Sequence, residues 1–391
     1  MNDKEPFLKS INIKNLLSLR DVTISFKGLT ILVGPNACGK TNFAQGLNLL
    51  SSMLYGERLP SNDYIRDIIL WAGEAKNISY KLETEINQIS TEYKVEIVDN
   101  PQNIIAVENL KVNKVNVISI NNGEGKVTDE DGNNELIYIG VNLALKSAGN
   151  YGKKPITNAL AKFIADWNIY DFDINRMLGD PKNKISFKKK VYSEIPYLNW
   201  SGNNIKDILS YFAEFDKERF DAINQSLKET VKLGIYPIKR KSGVIEFYID
   251  AGLGESSKKD IPISGASGGT LRLLGYSVLL NSPKIPSLII IEEPERNFHP
   301  AALKYVADII YRLSKKTQVI ITTHSSQFLN SFPDFSDDIK VIPLINKPKE
   351  GTIVLDLEDL LKNNEALDGW RIDFGIGSAI FDSGLLKDIF R

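Results

Sequence analysis

Residues 29–41 read Leu29-Thr-Ile-Leu-Val33-Gly34-Pro-Asn-Ala-Cys-Gly39-Lys40-Thr41, a short apolar run that leads into the pattern G-x-x-x-x-G-K-T. Residues 42–54 then carry apolar side chains at helical spacing, namely Phe43, Leu47, Leu50 and Met53. A buried strand, a glycine-bearing loop and a helix, in this order, form the context in which the pattern binds phosphate groups. This stretch therefore predicts an α/β fold built around a phosphate-binding loop.

The chemistry of such a loop follows from its backbone and from two side chains. Glycines let the chain turn so that successive N–H groups point inward, and the N-terminus of the following helix adds partial positive charge. Lys40 would neutralise β- and γ-phosphate oxygens, and the hydroxyl of Thr41 would ligate Mg²⁺. The predicted nucleotide-binding residues are Gly34, Pro35, Asn36, Ala37, Cys38, Gly39, Lys40, Thr41 and Asn42.

A second apolar strand ends in carboxylates, in the stretch Leu288-Ile-Ile-Ile-Glu292-Glu293-Pro294-Glu295. Ligands of open parallel sheets bind at the carboxyl ends of the strands, so these acids should lie beside the phosphate loop. We expect Glu292 to hold the Mg²⁺ shell and Glu293 to orient or deprotonate the attacking water. A solvated acidic turn is the alternative, but such turns rarely follow so apolar a run.

His324 ends another apolar strand, which begins at Val319. A histidine at that position can donate a hydrogen bond to a γ-phosphate or to the attacking water. A lone histidine at a strand end more often has a structural role, but its spacing from the acidic strand favours the catalytic one. The predicted catalytic residues are thus Lys40, Glu293 and His324.

Ser267-Gly268-Gly269-Thr270 opens a predicted helix just before the acidic strand. A Ser-Gly-Gly helix start is a second anion site, because its N–H groups are free and its dipole favours negative charge. Since one phosphate loop already serves the chain's own nucleotide, the second site has a role only if it caps the γ-phosphate of another subunit. It therefore predicts an ATP-dependent homodimer, with a plain capped helix as the alternative.

Composition sets limits on the function. With 42% apolar and 25% charged residues the 391-residue chain is a folded protein, and its net charge of -1 gives no overall field for nucleic acid or membrane. The single cysteine, Cys38, excludes internal disulfides and metal knuckles and fits a reducing compartment. No apolar run approaches the roughly 20 residues of a spanning helix, so we expect a cytoplasmic protein without membrane contact.

Local basic clusters remain the only candidate DNA contacts. One cluster comprises Lys182, Lys184, Lys188, Lys189 and Lys190, and the other is Lys239-Arg240-Lys241. Each would add a salt-dependent interaction with phosphates, although a charge run is usually a solvated face.

The rest of the chain divides into three parts. Residues 1–137 contain two short strands at 8–26, the phosphate loop and a β meander from 78 to about 136. Residues 138–233 are predominantly helical and are interpreted as an insertion, whose clearest helix follows Gly202-Asn203-Asn204. Residues 234–391 alternate short buried strands with helices, which indicates a parallel sheet.

Taken together, these motifs resemble the Walker A, signature, Walker B and H-loop elements of an ABC-type ATPase head. The order and spacing agree over residues 1 to about 345, and the chain is most similar to OLD-like prokaryotic AAA ATPases, whose heads are related to RecF and SMC proteins. Four stretches carry this similarity: Asn15-Leu-Leu-Ser-Leu, Gly202-Asn-Asn, Ser267-Gly-Gly-Thr-Leu-Arg272 and Glu292-Glu-Pro-Glu-Arg-Asn-Phe-His299-Pro300. The resemblance implies a P-loop NTPase fold and the cofactors ATP and Mg²⁺.

The sequence also departs from that pattern. Glu292 replaces the usual aspartate, and Ser267 lies 226 positions after Thr41, which disfavours a transporter subunit. Only 67 residues follow His324, too few for the TOPRIM nuclease of full OLD proteins, so any nuclease or toxin effector is expected to be a separate protein. The sequence does not place the Q-loop glutamine of such ATPases, and Gln88 and Gln102 are candidates by position alone.

The functional expectation is a homodimeric ATPase that acts as a molecular switch. The resemblance implies a sensor in prokaryotic anti-phage or mobile-element defence. A RecF-like DNA repair ATPase and a nucleotide-locked structural scaffold with negligible turnover are the alternatives.

Overall fold

The computed structural model describes residues 6–56, 59–68, 77–100, 104–148, 152–178, 197–241, 243–250, 261–333 and 337–385. Its strands are β1 (Phe7–Leu16), β2 (Leu19–Ser25), β3 (Leu29–Val33), β4 (Asn77–Ile86), β5 (Ile89–Val98), β6 (Ile105–Val112), β7 (Val115–Asn121), β8 (Glu124–Val127), β9 (Leu136–Ile139), β10 (Trp167–Tyr170), β11 (Gly234–Lys239), β12 (Ile245–Asp250), β13 (Ile261–Pro262), β14 (Leu288–Glu292), β15 (Gln318–Thr323), β16 (Ile339–Lys347) and β17 (Gly351–Val354). Its helices are α1 (Lys40–Tyr55), α2 (Asn62–Ile68), α3 (Ala144–Ala148), α4 (Pro155–Ala165), α5 (Ile174–Leu178), α6 (Ile205–Phe215), α7 (Lys217–Val231), α8 (Gly268–Asn281), α9 (Leu303–Ser314), α10 (Ser326–Leu329), α11 (Leu357–Lys362), α12 (Glu365–Phe374) and α13 (Ile376–Phe381).

The predicted parallel sheet is confirmed. Six strands lie in the order β10-β14-β15-β3-β16-β17, and every pair is parallel except β16 with β17. Side chains alternate between two separate core clusters, so that Ile31 of β3 belongs to one cluster and Leu32 to the other. Burial on both faces explains why these strands are continuous apolar runs in the sequence.

The predicted β meander is confirmed as well and forms a second sheet. Its eight strands lie in the order β2-β1-β4-β5-β6-β7-β8-β9, with every neighbouring pair antiparallel. The sheet packs on α1, where the Tyr80 hydroxyl donates to the carbonyl of Gly46 at 3.0 Å. The helix after the phosphate loop is therefore held between the two sheets.

A buried glutamine joins the two sheets. The backbone N–H of Leu8 in β1 donates to Oε1 of Gln318 in β15 at 3.0 Å, and Nε2 of Gln318 donates to the carbonyl of Leu8 at 2.9 Å. Gln318 is fully buried, so both polar ends of its amide are satisfied by backbone of the other sheet.

Helices cover the other face of the parallel sheet. The helices predicted after Gly202-Asn-Asn and near Gly269 are confirmed as α6 and α8, and α8 is almost wholly buried. The longest helix of the described residues, α1, has 16 residues, and none of these helices combines the length and hydropathy needed to cross a bilayer.

One strand of the parallel sheet comes from the predominantly helical stretch 138–233. Strand β10 pairs in parallel with β14, with Trp167 opposite Leu288 and Tyr170 opposite Ile291. This four-residue strand becomes the edge of the core sheet next to the acidic strand. Residues between 138 and 233 therefore contribute directly to the edge where ligands of such sheets bind.

A buried carboxylate fixes the start of α3 against the meander. Glu108 is fully buried, and its oxygens accept hydrogen bonds from the Tyr93 hydroxyl at 2.9 Å and from the N–H groups of Ala144 and Leu145 at 2.5 and 2.7 Å. Burial raises the pKa of Glu108 to about 7, and the three hydrogen bonds oppose the rise. The folded protein therefore holds this proton more tightly than the unfolded chain does.

The raised pKa of Glu108 predicts a pH-dependent stability. The protonated form favours the folded state, so this contribution is complete below pH 4.5 and is lost as the pH rises through about 7. A shift from 4.5 to about 7 corresponds to roughly 3 kcal/mol at about 1.4 kcal/mol per pKa unit. Urea unfolding at pH 5, 6, 7 and 8 should show a free energy of unfolding that declines in the parental chain relative to that of Glu108→Gln, which lacks the titrating group.

The matched control is Glu92→Gln, an exposed glutamate on the neighbouring strand β5. This change should leave the pH dependence as it is. A Glu108→Gln chain whose stability follows pH in parallel with the parental chain would contradict the assignment.

Candidate functional site

Four adjacent strand ends form one edge of the parallel sheet. In the order β10-β14-β15-β3, the residues that follow or end the strands are Asp171, Glu292, His324 and Gly34. Parallel strands end at the same edge, so the acidic strand and the phosphate loop lie on either side of the strand that leads to His324. The structure thus brings together the sequence-predicted groups Lys40 and Thr41, Glu292 and Glu293, and His324.

The phosphate loop has the backbone that its glycines permit. Gly34, Ala37 and Gly39 all have positive φ, with values of 151°, 61° and 102°. A Cβ atom on Gly39 would lie 2.0 Å from Oγ1 of Thr352, so the loop approaches β17 as only glycine allows. Lys40 is 7% exposed, and its ammonium donates to the carbonyls of Gly34 and Pro35 at 2.8 Å each.

Three polar side chains brace the loop from outside. The Ser18 hydroxyl lies 2.8 Å from that of Thr352 and accepts a hydrogen bond from the amide of Asn42 at 2.7 Å. The backbone N–H of Thr352 also donates to the carbonyl of Ser18 at 2.8 Å. Asn42 was predicted as part of the nucleotide site, and the structure shows it linking the start of α1 to the turn between β1 and β2. Ser18 belongs to the stretch Asn15-Leu-Leu-Ser-Leu, but the sequence assigned it no role, and Thr352 stands in no motif, so the sequence alone did not reveal their contact.

The two side chains predicted to hold Mg²⁺ are neighbours. Burial raises the pKa of Glu292, and a hydrogen bond with the Thr41 hydroxyl opposes the rise. Oε1 of Glu292 is buried and has no hydrogen-bond partner among the described residues. Within the same ranges, no three Asp, Glu, His or Cys side chains converge as a metal cage. A hydroxyl and an unpartnered carboxylate oxygen fit a magnesium ion that also takes phosphate oxygens and water as ligands.

Glu293 has an unusual backbone conformation, and both of its carboxylate oxygens are contacted by neighbouring side chains. Its φ is 43°, and its N–H donates to the carbonyl of Thr322 at 3.0 Å. Oε1 lies 3.0 Å from Nδ1 of His324, and Oε2 accepts from Nη2 and Nε of Arg296 at 2.6 and 3.2 Å. Partial burial alone would raise the pKa of Glu293, but the hydrogen bonds and charges of Arg296 and His324 outweigh it and lower that pKa. The carboxylate is therefore ionised at neutral pH and oriented toward the strand end that carries His324.

Glu295 ties the turn after Glu293 to β15. Its Oε1 accepts from the Thr323 hydroxyl at 2.6 Å, and burial raises its pKa while this hydrogen bond opposes the rise. The two acids predicted to divide the chemistry thus sit beside a third acid that fixes the backbone around them.

The Ser267-Gly-Gly segment caps α8 and lies against the same turn. Oγ of Ser267 accepts from the N–H of Thr270 at 3.2 Å, and Ser267 itself is exposed. A Cβ atom on Gly269 would lie 2.7 Å from the carbonyl oxygen of Asn297, four residues after Glu293. Glycine therefore allows the N-terminus of α8 to approach the turn closely, and the open side of Ser267 faces solvent.

Sequence reasoning assigned no role to three charged residues of this edge, Asp171, Arg272 and Arg296. Asp171 directly follows β10 and lies near Glu292, whose pKa its charge helps to raise. The buried Arg272 of α8 forms a long ion pair with Asp171, with Nη2 of the arginine 3.8 Å from Oδ1 of the aspartate. A four-residue strand followed by an acid was the available signal for Asp171, and the i, i+3 spacing from Glu293 was the signal for Arg296.

The remaining predicted residues lie elsewhere. Gln88 is in the tight turn between β4 and β5, whereas Gln102 and the cluster Lys182–Lys190 lie outside the described residues. In the second basic cluster, Lys239 pairs with Glu214 at 2.6 Å. Its neighbour Arg240 pairs with Glu246, also at 2.6 Å. Much of the charge of Lys239-Arg240-Lys241 is thus balanced locally.

Comparisons with known protein sequences match part of this chain. A segment of 142 residues is 28% identical to the Arabidopsis thaliana ABC transporter A family member 9, over 35% of this chain and 14% of that protein. The DNA replication and repair protein RecF of Oenococcus oeni is 21% identical over 268 residues, which cover 65% of this chain and 64% of RecF. The chain thus spans less than two thirds of the length of either relative.

A solved structure and a family model each match most of the chain. An SMC head, solved bound to the C-winged helix domain of ScpA, has the same fold with a TM-score of 0.53 at 18% identity, over 91% of this chain and 99% of that one. Residues 29–330 match the family model described as "AAA domain, putative AbiEii toxin, Type IV TA system". Because the match covers most of the chain and includes every strand end of the site, the protein belongs to this AAA-domain family, with the fold of an ABC-type ATPase head.

Proposed function

We propose that the protein is a Mg-ATP-dependent ATPase that dimerises around its nucleotide and acts as a molecular switch. The observation that carries the proposal is the convergence of Lys40, Thr41, Glu292, Glu293 and His324 at one sheet edge. Each of these side chain types has a distinct role in phosphoryl transfer to water. Membership of an AAA-domain family supports the same activity.

The roles follow from the environment of each group. Lys40 and the N–H groups of residues 34–42, Pro35 excepted, bind the phosphates. Thr41 and Glu292 would hold Mg²⁺, which would neutralise charge on the phosphates. Glu293, kept ionised by its neighbours, orients the attacking water and accepts its proton. His324 lies beside Glu293 and donates a hydrogen bond to the water or to the γ-phosphate.

The second half of the proposal is a dimer in which Ser267-Gly-Gly of one copy caps the γ-phosphate in the other. Three observations support it: Ser267 is exposed, it caps the N-terminus of a 14-residue helix, and that end packs on the turn after Glu293. A helix N-terminus favours an anion such as phosphate. Hydrolysis would remove the anion that the two copies share and let them separate.

For the biological role we propose a sensor ATPase in prokaryotic defence, working in the cytoplasm with a separate effector such as a nuclease or toxin. The support is the OLD-like motif set together with the toxin–antitoxin system named in the family description.

The RecF relative supports a second candidate, a DNA repair or recombination ATPase. In this case DNA would contact Lys182–Lys190 and the cluster Lys239-Arg240-Lys241. The local ion pairs of Lys239 and Arg240 weaken that second contact.

The assignment of Glu293 predicts the effect of removing its charge. Glu293→Gln keeps the size of the side chain but cannot accept a proton, so ATP should still bind while hydrolysis slows by about 10²–10⁴-fold. Phosphate release at saturating Mg-ATP measures the turnover, and a fluorescent ATP analogue measures binding.

Lys40→Ala is the contrasting variant, because it should abolish binding itself. Hydrolysis at the parental rate in Glu293→Gln would show that another group is the base. Negligible turnover in the parental protein, with ATP bound, would favour the structural scaffold.

A substitution that adds a negative charge at position 267 but keeps the helix cap tests the dimer. Aspartate caps helices as well as serine does, so Ser267→Asp should keep α8 intact while it repels a γ-phosphate. In light scattering with Mg-ATP, on a Glu293→Gln background, this variant should remain monomeric although each copy still binds ATP.

Asn364→Asp, the same kind of change at the N-cap of α12, should leave the dimer unaffected. An ATPase that stays active as a monomer would refute the arrangement in trans.

The RecF-like candidate predicts ATP-dependent DNA binding that weakens steeply with salt, because phosphate contacts release counterions. Mobility shifts at about 50 and 200 mM salt, with the parental chain and a Lys188→Ala, Lys189→Ala, Lys190→Ala variant, measure it. No shift at the lower salt concentration would remove DNA as a direct ligand.

A further inference from the structure

Glu293 depends on a cation that the proposed mechanism does not use. Arg296 places Nη2 2.6 Å and Nε 3.2 Å from Oε2 of Glu293, and its own N–H donates to the carbonyl of Glu293 at 3.0 Å. The pair therefore closes a short turn through both backbone and side chains. On the opposite side, Nδ1 of His324 lies 3.0 Å from Oε1. The carboxylate is held from two directions.

The charges around this pair explain why the arginine stays in place. Hydrogen bonding and charge from Glu293, with further contributions from Asp171 and Glu292, hold the pKa of Arg296 above its usual range. Arg296 and His324 contact Glu293, and the acids around this group are Glu292 at the end of β14 and Glu295 in the turn. Asp171 after β10 acts on Glu292 and Arg296. In this largely acidic surrounding, the guanidinium of Arg296 contacts one oxygen of the carboxylate and the ring of His324 contacts the other.

We propose that Arg296 is a positioning residue, which holds the Glu293 carboxylate in one direction from within the same turn. The inference rests on the proposed function, in which Glu293 is the base. The left-handed backbone conformation of Glu293, which L-residues rarely adopt, lies in the turn that brings Arg296 back onto the Glu293 carboxylate. The guanidinium of Arg296 directs two donors at the single oxygen Oε2, while His324 contacts Oε1, so the two residues together fix the direction of the carboxylate.

Kinetics separate this role from direct contact with phosphate. In Arg296→Ala the KM for ATP should change less than about twofold, whereas kcat should fall by about 10- to 100-fold because the base is misaligned. Arg296→Lys retains the charge but replaces the two guanidinium donors with one ammonium, so it should restore kcat only in part.

The matched control is Arg312→Ala, which removes a similarly exposed arginine from an ion pair with Asp308 on α9. It should leave KM and kcat unchanged. A large rise in KM for Arg296→Ala would mean that Arg296 binds phosphate, and an unchanged kcat would mean a purely structural role. Both results overturn the proposal.

A second measurement needs neither nucleotide nor turnover. The chain has two histidines, so the ring ¹H–¹³C signals of His324 and His299 can be assigned with one substitution, His299→Asn. If Arg296 acts through Glu293, the His324 signal should shift in Arg296→Ala and in Glu293→Gln, and the double variant should match Glu293→Gln alone. Additive shifts would show that Arg296 acts on His324 directly and would contradict the proposal.

The two measurements separate the positioning role of Arg296 from the proposed ATPase function. A parental protein without ATP turnover would contradict the proposed function, while the His324 signals would still decide whether Arg296 positions Glu293.

Discussion

The order of four parallel strands is the constraint on which the site depends. Because β14 and β3 flank β15, the carboxylates after one strand and the phosphate loop after another lie on either side of the strand that leads to His324. Each strand is buried on both faces, so its register is fixed by the core rather than by the site. A rigid sheet therefore determines the spacing of side chains that come from distant parts of the sequence.

Within that frame, the local environment gives similar side chains different properties. Burial raises the pKa of Glu292 and Glu295, whereas the neighbours of Glu293 lower its pKa. Glu292 contacts the hydroxyl of Thr41, Glu295 contacts that of Thr323, and Glu293 contacts Arg296 and His324. Three carboxylates within four residues are thus divided between a proposed metal ligand, a proposed base and a backbone anchor.

The sequence predicted the fold where residue patterns are local. Apolar runs gave the strands of the parallel sheet, and the glycine pattern with its flanking strand and helix gave the loop, because each signal lies within about 20 residues. Contacts made at long range were not predictable. Thr352 is more than 300 residues from the Ser18 hydroxyl that it contacts, and Asp171 follows a strand of only four residues. The sequence shows an arginine at position 296, but it does not show that the left-handed turn at Glu293 brings this arginine onto the Glu293 carboxylate.

A structure of Glu293→Gln with bound Mg-ATP is the strongest test of the proposed dimer, in which ATP joins two copies of this chain face to face. We expect an intact γ-phosphate between residues 34–42 of one copy and Ser267-Gly-Gly of the other, with the metal held by Thr41 and Glu292. Bound Mg-ATP whose γ-phosphate is approached by no second copy would contradict it.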